Sequence, residues 1–123
     1  MLKRFVVVVS AGAMVAGCGG SSDTTPSATP AATFTITTSG ISPKSVTVAR
    51  GSQVQFINND NTFHDMESNP HPEHTDCPEI NSVGFLSPGQ SRQTGNLNTA
   101  RTCGFHDHDN PNNTAVQGSI VIQ

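Results

Sequence analysis

The run Cys103-Gly104-Phe105-His106-Asp107-His108 gathers a thiol, two imidazoles and a carboxylate into six residues. These are metal-ligating groups. Imidazole and carboxylate suit Cu(II), Zn(II) or Ni(II), with copper highest in the affinity order, and a thiolate adds a softer donor. In an extended strand successive side chains face opposite sides. Cys103, Phe105 and Asp107 then share one face, and Gly104, His106 and His108 share the other. With Phe105 on the core side, the two imidazoles point away from the core and lie within reach of one ion. A second group of donors sits upstream, in Asn69-Pro-His-Pro-Glu-His-Thr-Asp-Cys77. His71 and His74 are candidates to join the site, or members of a solvated polar loop. Glu67, Glu73 and Asp76 read as solvated acids.

The elements that must position these groups are short strands. Thr33–Thr37 alternates apolar and polar residues, as a half-buried strand does. Ser45–Ala49 and Gln53–Asn58 follow, separated by turn signals at Gly40, Pro43 and Gly51. Asn58-Asn-Asp-Asn61 is a turn, and Phe63–Met66 a short strand. Residues 67–83 have no clean period and read as a long loop, which is unusual unless functional or pinned. Gly84–Leu86, the turn Ser87-Pro-Gly89, and strands at Gln90–Thr94, Ala100–His106 and Ser119–Ile122 complete the chain, with a loop at Asp109–Thr114. No apolar pattern of helical period is sustained after residue 20. Seven to eight short strands in an all-β chain predict a β-sandwich over residues 33–123.

The N-terminus reads as an export signal: Lys3-Arg4, then an apolar stretch from Phe5 to about Ala16. The stretch is shorter than the roughly 20 apolar residues of a membrane span. Val15-Ala16-Gly17-Cys18 resembles the bacterial lipobox. The resemblance implies cleavage after residue 17, lipid attachment to Cys18, and residence at the bacterial cell envelope on a lipid anchor. Residues 18–32 are small, polar and dotted with proline, as in a flexible tether. Without Lys3 and Arg4 the remaining side chains number four basic and nine acidic, about −5 in all. Four scattered cations do not make the basic face that nucleic-acid binding needs, which excludes that class. With Cys18 lipidated, two cysteines remain. In an oxidising compartment Cys77 and Cys103 are expected to pair. The alternative is that one of them is a thiolate metal ligand.

Four segments together resemble the cupredoxins: Ile41-Ser-Pro-Lys-Ser-Val-Thr-Val-Ala-Arg-Gly51; Val54-Gln-Phe-Ile-Asn-Asn-Asp60 leading to His64; Leu86-Ser-Pro-Gly89; and Gln117-Gly-Ser-Ile-Val-Ile122. The resemblance implies a Greek-key sandwich of two packed sheets. It also implies that His64 stands where the family's first copper-binding histidine stands. His64 is therefore expected to add a third nitrogen to His106 and His108. The family's blue sites use a cysteine as well. Cys103-Gly-Phe-His106 offers that spacing, but the inward alternation places Asp107 at the cysteine position. Asp107 is then a ligand in another register, or an acceptor that orients an imidazole, with Asp65 as a similar candidate. Val116 stands in the slot where the family often has a methionine.

These readings combine into an envelope-anchored copper-binding protein without a cysteine ligand, which handles Cu(II) and is able to take zinc. Its partners are then a metal ion, a redox or copper-transfer protein, and a membrane. An electron-transfer protein using Cys103 and a metal-free binding sandwich are the alternatives. No nucleophile–base pair at a recognisable spacing points to an enzyme.

Overall fold

The computed structural model of the protein describes residues 28–123. The expected export signal, Cys18 and most of the tether lie outside the described residues. The domain has nine strands: β1 (Ala32–Thr37), β2 (Gly40–Ser42), β3 (Ser45–Val48), β4 (Val54–Asn58), β5 (His64–Ser68), β6 (Gly84–Leu86), β7 (Ser91–Gln93), β8 (Arg101–Asp107) and β9 (Gly118–Ile122). They form two sheets, β2-β1-β4-β7 and β3-β9-β8-β5-β6. Both are mixed, because β1 runs parallel to β4 and β3 parallel to β9.

The alternation seen in the sequence decides which side chains lie between the sheets. Phe34 and Phe56 project from the first sheet and Phe105 from the second. Their ring centroids are 4.8–5.0 Å apart in tilted and edge-on pairs. Such pairs add about 0.5–1.5 kcal/mol each beyond area burial. Ile36, Val54, Met66, Leu86, Leu97 and Ile120 are buried around them.

The strands differ from expectation where local geometry intervened. β2 occupies a stretch read as a turn. Gly40 takes φ +111° there, and a side chain would meet the Ala115 carbonyl. Ala31, counted with the tether, donates its N–H to Gln53 O at 2.8 Å, and β1 opens at Ala32. The loop expected over 67–83 is shorter. Glu67 and Ser68 extend β5 by pairing with His106 and Phe105 of β8, and Pro78–Ser82 forms a 3₁₀ turn.

Cys77 and Cys103 form a disulfide with Cα atoms 5.8 Å apart. The sulfur of Cys103 is therefore not free to ligate a metal. The bond ties the 69–77 loop to β8 across 26 residues of chain. Backbone bonds shape the same loop: Asn69 N–H to Gly104 O at 3.0 Å, His74 N–H to Pro70 O at 2.7 Å, and Asp76 N–H to Asn69 O at 2.9 Å.

Candidate metal centre

In β8 the inward residues Cys103, Phe105 and Asp107 are buried, as alternation requires. His106 faces outward and is nevertheless only 3% exposed. The 69–77 loop folds over the outer face of the five-stranded sheet at this point. His71 and His74 thereby meet His106 and His108. One ring nitrogen from each of the four lies within 4.8 Å of the others.

The groups behind the rings select which nitrogens face inward. His106 Nδ1 donates to Asn69 Oδ1 at 2.7 Å. That leaves Nε2 as the acceptor nitrogen, and Nε2 is buried with no hydrogen-bond partner among the described residues. His74 Nδ1 stands 3.3 Å from a Glu67 carboxylate oxygen, and its Nε2 is 3.1 Å from His108 Nδ1. Carboxylate or amide groups behind ligating imidazoles are the usual means of fixing tautomer and ring orientation. Donors on metal–nitrogen bonds of about 2.0 Å stand about 2.8–3.4 Å apart when adjacent. The His74–His108 pair is already at that spacing.

Two backbone features permit this arrangement. Gly104 lies under Asn69, and a Cβ there would run into the Asn69 amide. His74 adopts φ +57°, a left-handed conformation uncommon outside glycine. That conformation turns the chain at His74, where Asn81 Nδ2 donates to the His74 carbonyl at 2.9 Å.

The electrostatics keep His106 in the neutral form that ligation requires. Burial, then the imidazoles of His74, His71 and His108, hold His106 below the ordinary imidazole value, while Asp107 works in the opposite direction. Burial raises Asp65 and Glu67 above their ordinary values, and nearby His108 partly offsets this in both. A buried acceptor nitrogen without a donor, surrounded by three further imidazoles, fits a metal ion better than it fits a proton.

His64 is not part of this group. In β5 it shares its face with Met66, which pairs with Asp107, so it lies on the side of the sheet opposite His106 and His108. Its Nδ1 contacts Asp107 Oδ2 at 2.7 Å and its Nε2 contacts Asp60 Oδ2 at 3.0 Å. Both ring nitrogens are thus taken by carboxylates. Asp107 is the acceptor that orients an imidazole, and the ring it orients is that of His64. Its other oxygen accepts the N–H groups of Asp65 and Asp109 at 3.1 and 3.2 Å. Asp65 contributes its backbone carbonyl, which accepts from His108 N–H at 2.7 Å.

Alternation in β8 signalled the His106–His108 pair, and the donor density of 69–77 signalled the loop. Asn69 carried no such signal, because an asparagine beside a proline reads as a turn residue.

No protein-family model and no curated protein matches the chain. Solved structures do. A purple cupredoxin from Nitrosopumilus maritimus superposes with a TM-score of 0.58 at 15% identity, over 75% of this chain and 99% of that one. Oxidised plastocyanin from Dryopteris crassirhizoma gives 0.56 at 18%, over 74% and 99%. The Cu(I) form of an amicyanin variant gives 0.61 at 16%, over 80% and 88%. The identities are low and the coverage is broad: the domain is a cupredoxin-fold β-sandwich, with a histidine cluster able to hold a metal on the outer face of its larger sheet.

Proposed function

We propose that the protein binds copper through His71, His74, His106 and His108 and serves to handle that metal at the bacterial cell envelope. The observation that carries this reading is the buried Nε2 of His106, without a hydrogen-bond partner among the described residues, within a four-imidazole group. Divalent copper heads the affinity order for nitrogen donors, and zinc is the natural competitor. An amicyanin that shares the fold is known in a Cu(I) form. The thiolate that supports fast electron transfer in blue sites is missing here, since Cys103 is disulfide-bonded. Binding, storage or delivery of Cu(II) therefore accounts for the donor set better than electron transfer does. Lipidation at Cys18, a tether and a copper-accepting partner protein complete the proposal.

Isothermal titration of the purified chain with Cu(II) and Zn(II) tests it. One ion should bind more tightly than micromolar, with copper preferred, and His106→Ala should abolish the tight phase. Equal binding by the His106→Ala variant would refute the assignment. Mass spectrometry of the exported protein tests the lipid on Cys18.

A further inference from the structure

A cleft of about 580 Å³ opens beside the histidine cluster, lined by Asn69, Pro70, His71, His106, Pro111, Asn112 and Gln117. His71 and His106 belong to both the cleft and the cluster. His74 and His108 do not line it. The far wall is built to stay in place. Gln117 Nε2 donates to Pro111 O at 2.8 Å, and Lys44 Nζ donates to the Thr114 and Ala115 carbonyls at 3.0 and 2.7 Å.

The four imidazoles are not held equally. Asn69 fixes the His106 ring, Glu67 backs that of His74, and the His108 ring contacts His74 Nε2 through its Nδ1 while its backbone N–H bonds to Asp65 O. His71 is the exposed member, and no hydrogen bond to its ring nitrogens is seen among the described residues. The ligand with the least support thus stands at the mouth of the cleft.

Resting on the four-histidine copper reading above, we propose that the cleft is a second-ligand site. It admits a monodentate nitrogen donor of the imidazole class, free or carried on a histidine of a peptide, which takes the place of His71 on the ion. A metal carrier needs such a replaceable position, because an incoming ligand can then bind as the resident one leaves and the ion is never stripped bare. Pro70, Pro111 and the amides of Asn112 and Gln117 give the cleft an uncharged lining that suits a neutral aromatic ring.

The test is chemical rescue in the full-length chain. His71→Ala is expected to weaken Cu(II) binding at least about tenfold, the scale on which support of a metal site is felt. Excess free imidazole should restore the affinity and return the fourth nitrogen to the electron-resonance spectrum. His74→Ala, whose vacancy does not face the cleft, should not be rescued. Asn112→Phe added to His71→Ala should block rescue by filling the cleft. Rescue by an N-acetylated Gly-His-Gly peptide as well as by imidazole would identify a peptide histidine as the incoming donor; rescue by imidazole alone would identify a small molecule.

Unchanged affinity in His71→Ala, equal rescue of His71→Ala and His74→Ala, or rescue that survives Asn112→Phe would each overturn the proposal. Should His71→Ala fail to fold, azide added to the copper-loaded parent chain reports on the same opening. Azide binding that Asn112→Phe weakens about tenfold supports the proposal, and no azide binding overturns it. Failure of the parent chain to bind Cu(II) at all would instead remove the copper reading on which the proposal rests.

Discussion

His64 Nδ1 stands 2.7 Å from Asp107 Oδ2, and this contact holds the residue between His106 and His108 from the opposite face of the sheet. The pair occupies the positions that the family likeness assigns to a metal-binding histidine and a cysteine. A carboxylate at the second position satisfies the imidazole directly, and Asp60 takes its other nitrogen. His64 therefore supports the strand and lies outside the four-histidine group. His64→Ala should leave Cu(II) affinity within about threefold, far less than the loss of ten- to a hundredfold typical of a disturbed metal site. It should cost about 1.5–3 kcal/mol of stability, since Asp107 would keep its two backbone donors but lose its charged hydrogen bond. Titration and thermal melting on the same preparation separate the two effects.

Gly104 should matter to the metal without touching it. Its missing Cβ is the space that Asn69 occupies, and Asn69 accepts the Nδ1 proton of His106. Gly104→Ala displaces the amide, and Asn69→Leu removes it. Either change frees His106 to adopt the other tautomer or to rotate. Affinity for Cu(II) should fall about 10–100-fold in both variants. Equal affinity in Asn69→Leu and the parent chain would show that the ring is held by other means.

The fold was largely legible because period-two alternation needs only local sequence. Phe34, Phe56 and Phe105 fall on inward positions by counting alone. The cysteine pairing was legible by elimination. The location of the site was half legible. Alternation put His106 and His108 on the outer face, but it could not show that the 69–77 loop would fold back over that face and bury His106. That fold-back depends on non-local bonds, such as Asn69 N–H to Gly104 O, and on the left-handed turn at His74. The family likeness drew His64 toward a ligand role. The substitution that decides its partner, a carboxylate at Asp107, acts through a contact 43 residues away.

The Cys77–Cys103 bond should stabilise both the fold and the site. Closing a loop of 26 residues is worth about 3.5 kcal/mol in the chain-entropy model. For a domain of this size each kcal/mol moves the midpoint by about 4–8 °C, so a Cys77→Ala/Cys103→Ala double variant should melt roughly 14–28 °C lower. The loop carrying His71 and His74 loses one anchor at the same time, so copper affinity should fall too. In the parent chain, copper loading should give no intense blue band, because the thiol that would produce it is bonded to Cys77. An intense band in oxidised protein would contradict the structure directly.

Asp60 gives the domain an acid sensitivity whose sign follows from its contacts. The hydrogen bond from His64, then the Asn61 N–H, hold its carboxyl below the ordinary 3.8, with burial opposing them. As pH falls toward 3.8 and below, the unfolded chain takes up the proton before the folded one. Stability from this group is therefore complete above 3.8 and is lost as pH falls through the lowered folded value. Asp65 and Glu67, raised by burial, have the opposite sign: the folded chain takes up their protons first, so they favour it as pH falls through their raised values toward the ordinary 3.8 and 4.5. These terms are common to the parent chain and an Asp60→Asn variant, so the difference between the two isolates Asp60. Melting temperatures should differ fully at pH well above 3.8, with the parent higher, and the gap should close as pH falls below 3.8. A gap that is independent of pH would mean that the His64 contact contributes equally whether or not Asp60 is charged.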